Sequence, residues 1–173
     1  MFEQVKNIKR FTPKDEVDSL IGEPLFQIED RLLFYYGNGV LIGYTPIRFI
    51  IENGKRIEYG EKGIYALIMM HFSDIEMLKL YLGLKSFEEK EAINCSGICI
   101  DEKITYDMTF QNIHAMAVQK VFNRTYREGE TRRIIDGRMK TAYLFIMYDN
   151  YELFFRGKSK KSKVCGFKYV FKD

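Results

Sequence analysis

Tyr143-Leu144-Phe145-Ile146-Met147-Tyr148-Asp149-Asn150-Tyr151-Glu152-Leu153-Phe154-Phe155 decides the fold. The first six residues are apolar on both faces, as a central strand requires. Asp149-Asn150 is a two-residue turn, and the apolar run from Tyr151 returns beside the first strand. Downstream, Phe167, Tyr169 and Phe171 alternate with Lys168, Val170 and Lys172, the period of a half-buried strand. A three-stranded antiparallel meander over 139–171 follows, with Gly157-Lys158-Ser159-Lys160-Lys161-Ser162-Lys163 as its second turn.

Upstream, two further hairpins are written in turn chemistry. Arg31–Tyr36 and Val40–Tyr44 flank Gly37-Asn38-Gly39, and Ile47–Glu52 and Lys55–Tyr59 flank Asn53-Gly54. Asn and Gly tolerate the positive φ that tight hairpin turns need. Residues 31–59 therefore predict a meander of about four antiparallel strands.

Helices fill the rest. Thr12-Pro13-Lys14-Asp15-Glu16 is a helix start, with Thr12 as N-cap and Gly22 as the stop. Val17, Leu20 and Ile21 are expected to face the core. Ser73 with Glu76 forms a capping-box pattern, and Ile75, Leu78, Tyr81 and Leu82 make an apolar face. Ser86 with Glu89 opens a short charged helix through Ala92. Thr109–Asn123 reads as a helix with Ile113, Met116, Ala117 and Val121 on one face. Ile64–Phe72 fits a buried strand or a buried helix equally, because periodicity does not separate them. Ile98–Ile100 and Lys103–Tyr106 pair as a small hairpin.

The expected fold is a single α+β domain spanning 1–173. Antiparallel meanders at about 31–59 and 139–171 form its sheet, with helices from 64–92 and 109–123 packed on one face. The 46% hydrophobic and 15% aromatic content supports a packed core.

Charge is unevenly distributed. Residues 1–119 carry 13 Lys/Arg against 18 Asp/Glu, a net of −5, while residues 120–173 carry 14 against 6, a net of +8. Such asymmetry points to a nucleic-acid, membrane or acidic-protein partner. The longest apolar stretch, Ile64–Phe72, is about half the ~20 residues a spanning helix needs, which argues against a membrane partner. Two pieces make the excess. One is the lysine turn with Arg156 at its base. The other is the run Lys120, Arg124, Arg127, Arg132, Arg133, Arg138 and Lys140, opposed only by Glu128, Glu130 and Asp136. Arg124 and Glu128 stand at the i,i+4 spacing of a helical ion pair.

Lys on a flexible turn follows phosphate without fixed geometry, and Arg offers bidentate contacts. Arg132, Arg133, Arg138, Arg156, Lys158, Lys160, Lys161 and Lys163 are thus the expected anchors for nucleic acid or a nucleic-acid-handling complex. The neighbouring aromatics Tyr151, Phe154, Phe155 and Tyr169, if exposed, would stack on unpaired bases. The plain alternative for the turn is a solvated hairpin tip that guards an edge.

Chemistry is harder to find. Cys95-x-x-x-Cys99, Cys165, His71 and His114 lack finger-like spacing, so no metal is expected. Cys99, between isoleucines, reads as a buried thiol, and His114 as a hydrogen-bonded core residue. Asp101-Glu102-Lys103 reads as a turn. No P-loop, dinucleotide fingerprint or zinc-protease pattern occurs. The chain is expected to need no cofactor and to act by non-enzymatic binding. The odd cysteine count and the lack of a basic leader before Met1-Phe2-Glu3-Gln4 suit a reducing, cytoplasmic setting. A second reading is a small protein-binding inhibitor or regulator, of viral or mobile-element type, using a Tyr/Phe/Arg-rich surface or meeting an acidic protein.

Overall fold

A computed structural model describes residues 4–5, 7–28, 33–36, 39–45, 49–58, 65–73, 75–82, 98–122 and 125–173. Antiparallel β-sheet dominates, with a few helices. The chain divides into two compact units, one comprising residues 1–70 and 170–173, the other 71–169.

In the first unit, helix α1 (Lys14–Ile21) starts after Pro13 and places Asp15 and Glu16 in its first turn, at the positive end of its dipole. Thr12 is not the cap: its hydroxyl donates to Lys9 O at 2.8 Å. Gly22, at φ 93°, ends the helix with its N–H on Asp18 O. Only Val17 of the expected face is fully buried, and Leu20 is 49% exposed. Strands β1 (Phe26–Ile28), β2 (Leu33–Tyr36) and β3 (Val40–Thr45) pair antiparallel in sequence. Next to β3 comes β6 (Tyr65–Phe72), which resolves the strand-or-helix ambiguity in favour of a strand.

The second hairpin departs from the expected meander. Strands β4 (Phe49–Glu52) and β5 (Lys55–Glu58) pair across Asn53 (φ 50°) and Gly54 (φ 74°), but they form a separate two-stranded sheet. The turn at 37–38, the Ser86 helix, Arg124 and Cys95 lie outside the described residues.

In the second unit the meander has four strands, not three: β7 (Tyr126–Ile135), β8 (Arg138–Tyr148), β9 (Tyr151–Arg156) and β10 (Val164–Val170), in the order β10-β9-β8-β7. The added strand is the arginine run itself, turned back at Asp136 (φ 51°) and Gly137 (φ 72°). The expected turn at Asp149-Asn150 is present, with Tyr148 opposite Tyr151.

Two helices join this unit: α2 (Ile75–Leu82) and α3 (Phe110–Val118). They do not share a face of the sheet. Tyr81 of α2 packs on Phe154 and Tyr143, whereas Phe110 of α3 packs edge-on against Phe155. Phe154 and Phe155 are consecutive strand residues and so point to opposite faces. The single-face expectation fails because both faces of β9 are apolar: Leu153, Phe154 and Phe155 are all 0% exposed.

Candidate nucleic-acid interface

Register assigns every side chain of the meander to the α2 side or the α3 side. Phe145 lies opposite Phe154, and Gly129 opposite Phe145, so these are on the α2 side. Met147 and Arg127 share that side, as do Tyr143, Thr131 and Arg156. Tyr126, Glu128 and Glu130 lie opposite Tyr148, Ile146 and Leu144 and are on the α3 side.

A register shift follows Thr131: Thr131 pairs with Tyr143 but Arg132 pairs with Thr141, so Ala142 is the extra residue of a bulge. Beyond it, Arg133 opposes Lys140 and Ile135 opposes Arg138 on the α2 side, while Arg132 and Ile134 oppose Thr141 and Met139 on the α3 side. Thr141 confirms the parity by donating to Glu130 Oε2 at 3.1 Å.

The cations are thereby sorted. Arg127, Arg133, Arg138, Lys140 and Arg156 share the α2 side, and β7 and β8 put no acid there. Glu128 and Glu130, which oppose the arginine run in sequence, sit on the other face. Glu128 accepts a hydrogen bond from Tyr126 (2.6 Å) and engages His114 Nδ1 (2.7 Å); Glu130 holds Arg132 (3.5 Å). Glu128 belongs to a strand, and Arg124, its expected i,i+4 partner, lies outside the described residues. Asp136, at the tip, pairs with Lys140 at 3.1 Å. Lys168 also lies on the α2 side but is bound to Glu152 at 2.5 Å. Burial works to lower its pKa, yet the bonds to Glu152 and the Tyr81 hydroxyl outweigh that and hold it above the ordinary value.

The β7–β8 hairpin also projects. β9 ends at Arg156, opposite Tyr143, and the Gly157 N–H donates to Ala142 O at 2.9 Å. Four further cross-strand pairs extend past that point, roughly 13 Å at about 3.3 Å per residue. On this arm Arg132, Arg133, Ile134 and all of Asp136–Lys140 are exposed.

The lysine turn stands at the same end of the meander, but it serves a second purpose. Lys160 O and Ser162 O accept the N–H groups of Gln111 and Phe110, meeting the orphan donors at the start of α3. Thr109 caps the same end reciprocally with Asn112. Lys163 pairs with Asp107 at 3.2 Å, and Lys160 lies 5.7 Å over the Phe110 ring. Lys158 and Lys161 are exposed. Of the eight expected anchors, Arg133, Arg138 and Arg156 therefore gather on one face. Arg132 points to the other, Lys160 and Lys163 are engaged beside the start of α3, and Lys158 and Lys161 stand exposed in the turn. Of the aromatics expected to stack, Phe154, Phe155 and Tyr169 are buried and Tyr151 is half-buried; sequence reasoning passed over Phe145, and it counted Arg127 in the basic run without making it an anchor. The turn pair Asp136-Gly137 was the signal that would have assigned them to a sheet face.

The expected chemical groups occupy ordinary positions. His71 is 1% exposed and its Nδ1 meets Tyr106 OH at 2.5 Å. His114 is half-exposed rather than a core residue, because its partner Glu128 stands on an edge strand. Burial raises the Tyr126 hydroxyl, and the Glu128 carboxylate it bonds adds to the rise. Cys165 is a buried free thiol that donates to Phe154 O, whereas Cys99 is exposed, since it sits in the short bridge to Thr105. Asp101 forms the expected turn, accepting from Lys103 N and Ile104 N at 2.7 Å each. Among the described residues no cluster of His, Cys, Asp and Glu could hold a metal, and no helix is long and apolar enough to cross a membrane. An open depression of about 490 Å³ beside α1 is lined by Lys14, Asp15, Asp18, Ser19 and Glu23.

No protein family, curated protein or solved structure matches this chain.

Proposed function

We propose that this protein is a non-enzymatic nucleic-acid-binding protein whose contact surface is the α2 side of the β7–β9 meander, in a cytoplasmic setting. The observation that carries this reading is charge segregation. Five cations share one sheet face; the single acid that β7–β9 put there, Glu152, is bound to Lys168, and the acids of β7 are on the opposite face, bound to their own partners. A solvated surface would intersperse both signs on each face. Arg133 and Arg138 stand on a projecting ribbon, the shape that lets phosphates approach from several directions. Lys158 and Lys161 extend the field at the arm's base. Contacts of this kind read phosphates and carry little base specificity.

The test is a charge comparison between faces. Arg133→Ala with Arg138→Ala is expected to weaken binding of a mixed-sequence oligonucleotide, measured by fluorescence anisotropy, about tenfold or more. Arg132→Ala, on the opposite face of the same arm, is expected to change it far less. Equal loss from both variants contradicts the assignment to one face.

One observation favours a protein partner instead. Ile134 and Met139 form a cross-strand pair on the arm's other face and are 72% and 58% exposed. Under that reading Ile134→Ser with Met139→Ser abolishes a stoichiometric protein complex and leaves nucleic-acid affinity unchanged.

A further inference from the structure

We infer that the ligand of the α2 side is single-stranded nucleic acid, with an unpaired base stacked on Phe145; this rests on the nucleic-acid reading above. Phe145 lies opposite Gly129. A Cβ at Gly129 would stand 2.6 Å from Phe145 Cζ and 2.9 Å from Cε1. The ring therefore lies over the edge strand, in space that any other residue's side chain would fill. It is half-exposed.

The other aromatics in β7–β10 have ring partners: Tyr126 with Phe122, Tyr143 with Phe154, Tyr148 with Tyr151, Phe155 with Phe110, and Tyr169 with Tyr151. Phe167 meets His71 and Tyr106. Phe145 has none among the described residues.

Its surroundings fit a nucleotide. Met147, two residues along on the same face, is 37% exposed. Arg127 lies opposite Met147, one same-face step from Gly129, roughly 7 Å along β7. Arg133 lies two same-face steps the other way, roughly 13 Å. Cations thus flank the ring on both sides along the strand, as a phosphate backbone passing over a stacked base requires. A duplex hides its base faces in its own stack, so an open ring serves only an unpaired base.

The chain contains no Trp, so Phe145→Trp supplies a single fluorescent reporter at this position. Its emission is expected to be quenched by oligo(dT) or oligo(U) of about 12 nucleotides and not by a duplex of the same length. Quenching by either oligonucleotide supports the inference. Phe145→Leu is expected to weaken single-strand binding about 5- to 150-fold, the range for loss of one stacked base, with duplex binding nearly unchanged. Gly129→Ala, which lifts the ring without removing it, is expected to act in the same direction. Single-strand binding that leaves the emission of the Phe145→Trp variant unchanged overturns the inference while the broader reading stands. Absence of binding to both strand forms overturns both. The reporter variant keeps the test open should Phe145→Leu fail to fold.

Discussion

A methyl group at Gly166 has nowhere to go. A Cβ there would stand 2.2 Å from Phe72 Cδ1, 2.8 Å from Cε1 and 3.0 Å from His71 O. The ring is stacked on Phe154 at 5.5 Å, and the carbonyl is backbone, so neither gives way cheaply. Gly166→Ala is expected to destabilise by about 1–3 kcal/mol, the usual range for overpacking, read as a lowered urea midpoint. Glu128 offers a test in pH. Burial works to raise its carboxyl, but hydrogen bonds from Tyr126 and His114, with the field of Lys160, outweigh it and hold the pKa below the ordinary value. A depressed folded pKa stabilises above the unfolded value near 4.5, and that stability is lost as pH falls through the folded one. Because Glu128 is about one-third exposed, the contribution is about 1 kcal/mol or less. Glu128→Gln is expected to lower stability at pH 7, with the difference from wild type shrinking as pH drops below about 4 in denaturation curves.

At the scale of elements, the β7–β8 arm is a two-stranded ribbon with both faces in water beyond Ala142. Such a ribbon adds little to the stability of the sheet that carries it. Replacing residues 133–140 by Asn-Gly, so that Arg132 and Thr141 close the hairpin, is expected to shift stability by no more than about 0.5 kcal/mol in thermal melts. Nucleic-acid binding is expected to fall sharply in the same variant. The hairpin at Asp149-Asn150 was legible because its turn separates apolar runs, and that at Asn53-Gly54 because the Asn-Gly pair is itself a strong turn signal. The Asp136-Gly137 hairpin was not, because Arg132, Arg133, Arg138 and Lys140 interrupt the alternation that marks a strand. An arm exposed on both faces has no burial to enforce that alternation. Residues 64–72 stayed ambiguous for the opposite reason: a segment buried on both faces carries no period. The lysine turn read as solvated or phosphate-binding, and its backbone role in seating α3 left no trace in residue type, since carbonyl groups do that work.

For the whole molecule, the sequence-level charge of +8 over 120–173 overstates what any one surface presents. Lys163 and Lys168 are paired with Asp107 and Glu152, and Arg132 with Glu130. Lys140, on the five-cation face, is likewise paired with Asp136, while Arg127, Arg133 and Arg138 of that face and Lys158 and Lys161 of the turn are exposed. If that face binds a nucleic-acid backbone, the most direct measurement is the salt dependence of binding to single-stranded oligonucleotide. With about five phosphates neutralised, log K is expected to fall against log[salt] with a slope of about −3 to −4. The combination of Arg133→Ala, Arg138→Ala and Lys140→Ala is expected to bring that slope to about −1 to −2. A slope near zero in the wild type, or one left unchanged by removal of the three cations, would contradict nucleic-acid binding by this face.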